Sequence, residues 1–183
     1  NGIFWMYRYL ERAENTARLL AAGHRMSLTR SSDAATEEWR SVLTTLGLLN
    51  GYKASWDDFA GAHVCDFVLR GRGNDLNVVS MFERARLNTR TCRSAITMEV
   101  WEAVNEGWMN LRDLLARPVR ESSLVQLLAA IRRETQLVRG ATHGSMTMGT
   151  WSSTPWRSTS TTCSRSAMAC WPRRMSSARS RRS

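Results

Sequence analysis

The segment that decides the fold is residues 2–24, GIFWMYRYLERAENTARLLAAGH. Its apolar residues recur every three or four positions, which is the spacing at which side chains share one face of an α-helix. The segment therefore predicts a long amphipathic helix. Its apolar stripe consists of Ile3, Met6, Leu10, Ala13, Ala17, Leu20 and Ala21.

Five further segments show helical spacing, and no part of residues 1–144 shows the sustained two-residue alternation of a half-buried strand. Six helices in about 140 residues predict an all-α helical bundle over residues 1–147. The further helices are expected over residues 36–50, 55–70, 75–93, 95–116 and 122–139. The expected core includes Leu10, Ala17, Leu46, Phe67, Val78, Phe82, Val104, Leu111, Leu127 and Ile131.

Local signals set the expected ends of these helices. Asn50-Gly51 is expected to end the second helix, because glycine readily takes the left-handed conformation that follows a helix C-terminus. Asp57 and Asp58 are expected in the first turn of the third helix, where the helix dipole favours acids. Asn74 is expected to cap the fourth helix, and Gly140 to end the sixth.

The charge is distributed unevenly along the chain. The 183 residues include 26 Lys+Arg and 16 Asp+Glu, for a formal net charge of +10. Residues 145–183 contain seven Arg and no Asp or Glu, so the helical body is close to neutral. A nucleic-acid-binding domain carries its positive charge on the folded surface, so nucleic acid is not an expected partner of the body. No apolar run reaches the ~18 residues of a membrane span, and no membrane association is expected.

The cysteines and histidines do not form a metal-binding or redox pattern. The chain has four Cys and three His, with no CxxC pair and no HExxH motif. Ordinary histidines and reduced thiols are therefore expected, with no metal and no cofactor. Reduced thiols and the lack of a signal peptide indicate a cytoplasmic location.

Residues 148–183 differ in composition from the body. From residue 145 onward there is no Leu, Ile, Val, Phe or Tyr, so an ordinary apolar face cannot form. One interpretation is a disordered Arg/Ser arm that binds nucleic acid or anionic lipid. We favour a reading-frame error, because the change near Thr147 is abrupt and the composition is typical of GC-rich DNA read out of frame. Little packed structure is expected there, and an apolar groove is expected on the body where a further helix would sit. The start at Asn1, inside an apolar run, predicts a fragment at that end too.

The clearest pattern of charged residues in the chain is a pair of related Glu-Arg motifs. Residues 11–18 are ERAENTAR and residues 83–90 are ERARLNTR. Their offset of 72 positions is about twenty helical turns, so equivalent residues keep the same angular position around their helices. The residues that flank the apolar stripes are Glu11, Glu14, Arg18, Glu83, Arg86 and Arg90.

Three interpretations of these six residues remain open. They form local i,i+4 pairs on a solvated helix face, a buried polar network between two helices, or a site where carboxylates and guanidiniums meet a substrate. If the two helices pack through their stripes, the clusters meet. Because position 14 is Glu and its counterpart is Arg86, the pattern predicts a partly buried cross-helix ion pair from Glu14 or Glu11 to Arg86 or Arg90.

Four segments of the chain resemble one protein family. Residues 4–20, FWMYRYLERAENTARLL, closely resemble the opening of the bacterial alpha-E family, a predicted all-α domain named for its Glu-Arg motif. Residues 77–93 resemble its second Arg-rich segment, with Leu87 where Glu is usual. Residues 99–105 and 139–147 resemble two later segments, and the resemblance ends at about residue 147.

The resemblance implies an association rather than a reaction. Members of the family tend to be encoded beside, or fused to, ATP-grasp-like proteins and transglutaminase-like proteases. This implies a part in a peptide or amide-bond system with such a protein as partner, and it assigns no catalytic residues.

Three functions therefore compete. The first is a helical accessory or scaffold protein that works with an ATP-grasp-like or transglutaminase-like partner. The second is an enzyme or small-ligand binder that uses the six Glu and Arg residues in a polar cleft. The third is nucleic-acid binding through the basic tail. The chain lacks a phosphate-binding glycine loop, a nucleophile elbow and a metal motif, so we rank them in that order and leave enzymatic activity open.

Overall fold

A computed structural model of the chain describes residues 2–145, and the expectations for residues 148–183 lie outside this part. The described residues are helical and contain no strand, which confirms the all-α prediction. Seven α-helices and one short 3-10 helix over Arg93–Ala95 follow one another along the chain. The α-helices are α1 Gly2–Leu28, α2 Ser32–Leu46, α3 Leu49–Lys53, α4 Gly61–Arg70, α5 Val78–Thr91, α6 Met98–Leu114 and α7 Glu121–Ser145.

Helices α1, α5, α6 and α7 form a four-helix bundle, in which each packs against its two neighbours. The α1–α5 pair is antiparallel, because Gly2 lies against Thr91 and Cys92 while the Arg84 guanidinium lies over the Tyr9 ring. A short connection of six residues joins α5 to α6, and another joins α6 to α7, as antiparallel neighbours require.

Helices α2, α3 and α4 cover the end of the bundle at which α1 finishes. Gly23 of α1 permits close approach to α2, since a Cβ atom at that position would lie 2.8 Å from a methyl carbon of Val42. Gly61, the first residue of α4, lies equally close to the indole of Trp39. Trp39 is 4% exposed, and its ring lies against both glycines. It therefore joins α1, α2 and α4 into one core.

The predicted core is confirmed at nine of its ten positions, where the residues are at most 8% exposed. The exception is Leu46, which is half-buried at the C-terminus of α2. Periodicity identified these residues well because each lies on the face of a helix that its neighbours cover.

Two predicted helix C-termini are wrong, those expected at Asn50-Gly51 and at Gly140. Helix α2 ends at Leu46, because Gly47 takes the left-handed conformation, with a φ of 71°. The amides of Gly47 and Leu48 donate hydrogen bonds to the carbonyls of the last helical turn. Gly51 then lies inside the short helix α3. Helix α7 continues through Gly140 to Ser145, since a glycine within a packed helix costs only about 1 kcal/mol.

The third predicted helix starts later than its acidic residues indicated. Helix α4 begins at Gly61, and Asp57 and Asp58 lie in the loop before it. The Tyr52 hydroxyl donates to the backbone carbonyl of Asp58 at 2.8 Å, and both carboxylate oxygens of Asp58 lie 3.0 Å from His63 Nδ1. These contacts hold the loop in a non-helical path.

Asn77, rather than Asn74, caps helix α5. Its side-chain oxygen accepts from the Ser80 amide at 2.8 Å, which is the contact of an N-cap residue. Its side-chain nitrogen also donates to the carbonyls of Gly71 and Asn74, at 3.1 and 2.9 Å. Asn77 therefore fixes both the start of α5 and the turn before it.

We expect Asn77→Ala to lower the free energy of unfolding by about 2 kcal/mol, because it removes the cap and leaves two carbonyls without their donor. Asn77→Asp keeps the acceptor and loses the donors, so its cost should be intermediate. Urea denaturation monitored by circular dichroism measures both. Asn110→Ala, an exposed position of α6, is the control. An equal cost for Asn110→Ala and Asn77→Ala would contradict the assigned cap.

Candidate functional site

The structure separates the six predicted site residues. Glu11, Glu14 and Arg18 lie on α1, and Glu83, Arg86 and Arg90 lie on α5. Only Glu14 is buried, with 2% of its side chain exposed. Two surface cavities of the described part of the chain, of about 230 and 440 Å³, are lined by residues other than these six.

Glu14 is held between two arginines. Its Oε1 atom accepts from Arg18 Nε at 3.1 Å and from Arg18 Nη2 at 2.6 Å, within the same helix. Arg139 of α7 reaches it from across the bundle, with Nη2 2.9 Å from Glu14 Oε2. The N–H bonds of Arg139 do not point at that oxygen, so this second contact is an ion pair without a hydrogen bond. The two guanidiniums balance the buried carboxylate and are themselves about half exposed.

A tyrosine extends this cluster along the α1–α7 interface. The Tyr7 hydroxyl forms a hydrogen bond with the Thr142 hydroxyl, which in turn donates to the backbone carbonyl of Val138 at 2.8 Å. Burial raises the pKa of Tyr7, and the Thr142 contact and the charge of Arg139 only partly oppose that shift. We call Tyr7, Glu14, Arg18, Arg139 and Thr142 the buried cluster.

The predicted ion pair between Glu14 or Glu11 and Arg86 or Arg90 is wrong. Arg86 donates to Asn105 Oδ1 of α6 at 2.7 Å and lies 4.4 Å from the centre of the Trp108 ring. Within the described residues, neither Glu83 nor Arg90 forms an ion pair. Glu14 finds its cross-helix partner in α7 instead.

The antiparallel direction of α1 and α5 explains the error. The contacts of Gly2 with Thr91 and of Tyr9 with Arg84 place Glu14 near the level of position 79 on α5. Arg86 is then about seven residues, or roughly 10 Å, away along the helix axis. The two side chains also leave their helices on different sides, Glu14 toward α7 and Arg86 toward α6. Glu14 and Arg86 have equal angular positions around their helices, but this did not bring the two charges together.

The Glu-Arg dipeptides themselves lie toward the surface. Glu11 is about half exposed and pairs with Arg8 at 3.1 Å, three residues earlier on the same helix. Glu83 is exposed, and the Arg84 guanidinium lies 6.0 Å from the centre of the Tyr9 ring. The interpretation of local pairs within one helix therefore holds for Glu11, and it holds for Glu14 with Arg18. Of these residues, Glu14 also belongs to an interhelical network.

An acidic groove between α6 and α7 was not singled out by the sequence. Glu99, Glu102 and Glu106 line it from α6, at a spacing that puts them on one helix face. Glu134 of α7 lines its base, with 3% of its side chain exposed and Oε1 2.9 Å from Arg133 Nη2. Gly107 makes room for Glu134, since a Cβ there would lie 3.3 Å from that of Glu134. The i,i+3,i+7 spacing of the three α6 glutamates was the available signal.

No group of three or more His, Cys, Asp or Glu side chains in residues 2–145 is arranged to hold a metal ion. Of the helices described in this range, none combines the length and apolar character needed to cross a membrane. Cys65 and Cys92 are free thiols; Cys65 is buried, whereas Cys92 is only half-buried.

The two thiols should differ in reactivity. Burial raises the pKa of Cys65 to about 12, so at pH 8 almost none of it is the reactive thiolate. We expect brief treatment of the native protein with iodoacetamide at pH 8 to leave Cys65 unmodified, as read by peptide mass spectrometry. The same treatment in 8 M urea (about the concentration that unfolds most small domains) should modify it fully. Rapid native labelling of Cys65 would contradict its burial.

The fold and the buried cluster define a class of protein: an all-α domain whose first and last described helices are joined by an ion pair from Arg139 to the buried Glu14. A family model described as "Alpha-E: a predicted alpha-helical domain with a conserved ER motif" matches residues 1–152. The chain belongs to this family, as residues 4–20 predicted. Searches of curated proteins and of solved structures gave no significant match.

Proposed function

We propose that this alpha-E domain is a helical accessory or scaffold protein for an ATP-grasp-like or transglutaminase-like partner in a peptide or amide-bond system. The supporting observation is the burial of Glu14. A carboxylate used on a substrate needs access to it, whereas the Glu14 side chain is 2% exposed and its two ion pairs are with Arg18 of its own helix and Arg139 of α7. On this proposal the buried charge serves to fix which helix faces meet.

The alternative of an enzyme or ligand binder loses support at these residues. The six Glu and Arg side chains do not converge on one cleft, and Arg86 is engaged by Asn105 and Trp108. Nucleic-acid binding through the basic tail concerns residues outside the described part of the chain. Loss of salt-sensitive DNA affinity on deletion of residues 145–183 would favour that third function.

Co-expression tests the scaffold function directly. The full chain carrying an affinity tag is produced together with an ATP-grasp-like protein or with a transglutaminase-like protein. We expect a complex that survives gel filtration, and a partner activity that rises when the chain is added. Absence of a complex with both proteins, with each shown to be folded, would count against the proposal.

A further inference from the structure

An exposed band of aromatic and arginine side chains runs along the outer seam of α1 and α5. We call Trp5, Tyr9, Arg84 and Leu87 the aromatic–arginine face. Trp5 is 50% exposed and Leu87 is 51% exposed, whereas Tyr9 and Arg84 are half-buried. Adjoining exposed apolar side chains are a feature of interaction sites. Trp, Tyr and Arg are the residues that most often supply the binding energy of protein interfaces.

The geometry places these four side chains in one continuous surface. The centres of the Trp5 and Tyr9 rings are 6.2 Å apart, and Arg84 lies over Tyr9 at 6.0 Å. The antiparallel register of α1 and α5 puts Leu87 at nearly the level of Trp5. At about 100° per residue, both positions also fall on the solvent side of the α1–α5 contact. The Phe4 ring lies edge to face against Trp5, with 5.4 Å between the ring centres.

The charges beside this face are mostly positive. Arg84 and Arg90 form no ion pair with a carboxylate of the described residues, and both lie on the α5 side. Arg8 and Arg12 lie on the α1 side, one turn apart, and Arg8 pairs with Glu11 at 3.1 Å. Arg84 and Arg90 therefore supply the positive charge that a negatively charged partner would meet.

We infer that the aromatic–arginine face docks an acidic amphipathic helix of a partner protein. The inference rests on the proposed scaffold function and names the chemistry of the contact. A seam between two antiparallel helices accepts a third helix, whose apolar side chains meet Trp5 and Leu87 and whose carboxylates meet the arginines. A second copy of this chain is disfavoured, because it would bring like charges together. Nucleic acid is disfavoured because the Trp5 and Tyr9 rings lie tilted against each other, with 6.2 Å between their centres, rather than standing free for bases.

Two designed peptides test the inference on the full chain. Each has about 18 residues, long enough to form a helix, with leucines on one face. The remaining positions are Glu in one peptide and Lys in the other. Fluorescence anisotropy should show that the Glu peptide binds and is weakened by salt, while the Lys peptide does not bind. Arg84→Glu and Trp5→Ala should each raise Kd at least tenfold.

Matched variants elsewhere on the surface serve as controls. Arg40→Glu changes an exposed arginine of α2, and Trp56→Ala removes a partly exposed indole near α4. Both should leave Kd within about twofold, which is the spread expected for surface changes away from an interface. Equal binding of the two peptides, or equal losses in the control variants, would overturn the inference. So would a dimer that Trp5→Ala dissociates, or tighter binding of a single-stranded DNA oligonucleotide that depends on Trp5.

Failure of this inference is distinct from failure of the scaffold function. A complex with the ATP-grasp-like protein that forms equally well with Trp5→Ala and Arg84→Glu would overturn the docking face and leave the scaffold function standing. Absence of any complex with the wild-type chain would count against the scaffold function itself.

Discussion

Replacing both Arg18 and Arg139 with alanine is expected to lower the free energy of unfolding by about 3 kcal/mol or more. Glu14 would then keep its buried position and lose both of its counter-charges. An unpaired buried charge is costly because the protein interior does not replace the water that solvated it in the unfolded chain. Urea denaturation of the single and double variants measures the effect.

Each single variant should cost clearly less than half of the double variant, because the remaining guanidinium still faces the carboxylate. Adding Glu14→Gln to the double variant should restore part of the loss, since a neutral amide has no charge to desolvate. Arg40→Ala, an exposed position of α2, is the control. Strict additivity of the two arginine variants, together with no rescue by Glu14→Gln, would show that the buried cluster is not one coupled unit.

Phe82→Ala should cost about 3–5 kcal/mol, as expected for removal of a fully buried aromatic ring. Phe82 is 0% exposed in the interior of the bundle, next to Gly107 of α6. The lost ring would leave a cavity beside Glu134, because Gly107 has no side chain to fill it. Thermal unfolding followed by circular dichroism should show a correspondingly lower Tm.

The matched control is Phe4→Ala, which removes the same ring from a position 43% exposed on α1. Its cost should be about 1 kcal/mol or less, since most of the ring contacts solvent or Trp5. Phe82→Leu should fall between the two, because leucine refills much of the space. Similar losses for Phe4→Ala and Phe82→Ala would contradict the packing described for the bundle core.

Helix content was predicted well where the signal is local. The stripe of Leu10 and Ala17 on α1 and the stripe of Val78 and Phe82 on α5 are buried as expected. Helix ends were predicted less well, because they depend on individual contacts that helical periodicity does not reveal. Asp58 stays outside α4 because Tyr52 and His63 hold it in a loop.

At the candidate site, too, some features were predicted from the sequence and others were not. Sequence periodicity placed Glu14 beside an apolar stripe, and this residue is indeed buried at a helix interface. It did not indicate Arg139, because nothing in the α7 sequence marks that arginine as different from its neighbours. Glu134 was missed for a related reason: its burial depends on Gly107, which lies on a different helix.

The sequence by itself determined which segments form the bundle helices α1, α5, α6 and α7 and which face of each is apolar, because both follow from the repeat of residues along one chain segment. Only the tertiary structure decided the partner of Glu14. A 72-residue offset keeps two motifs at the same angle around their helices, but it does not set their relative level or direction. The antiparallel packing of α1 and α5 shifts Arg86 along the axis, and the closure of the bundle brings α7 against α1. Arg139, rather than Arg86, therefore supplies the cross-helix charge to Glu14.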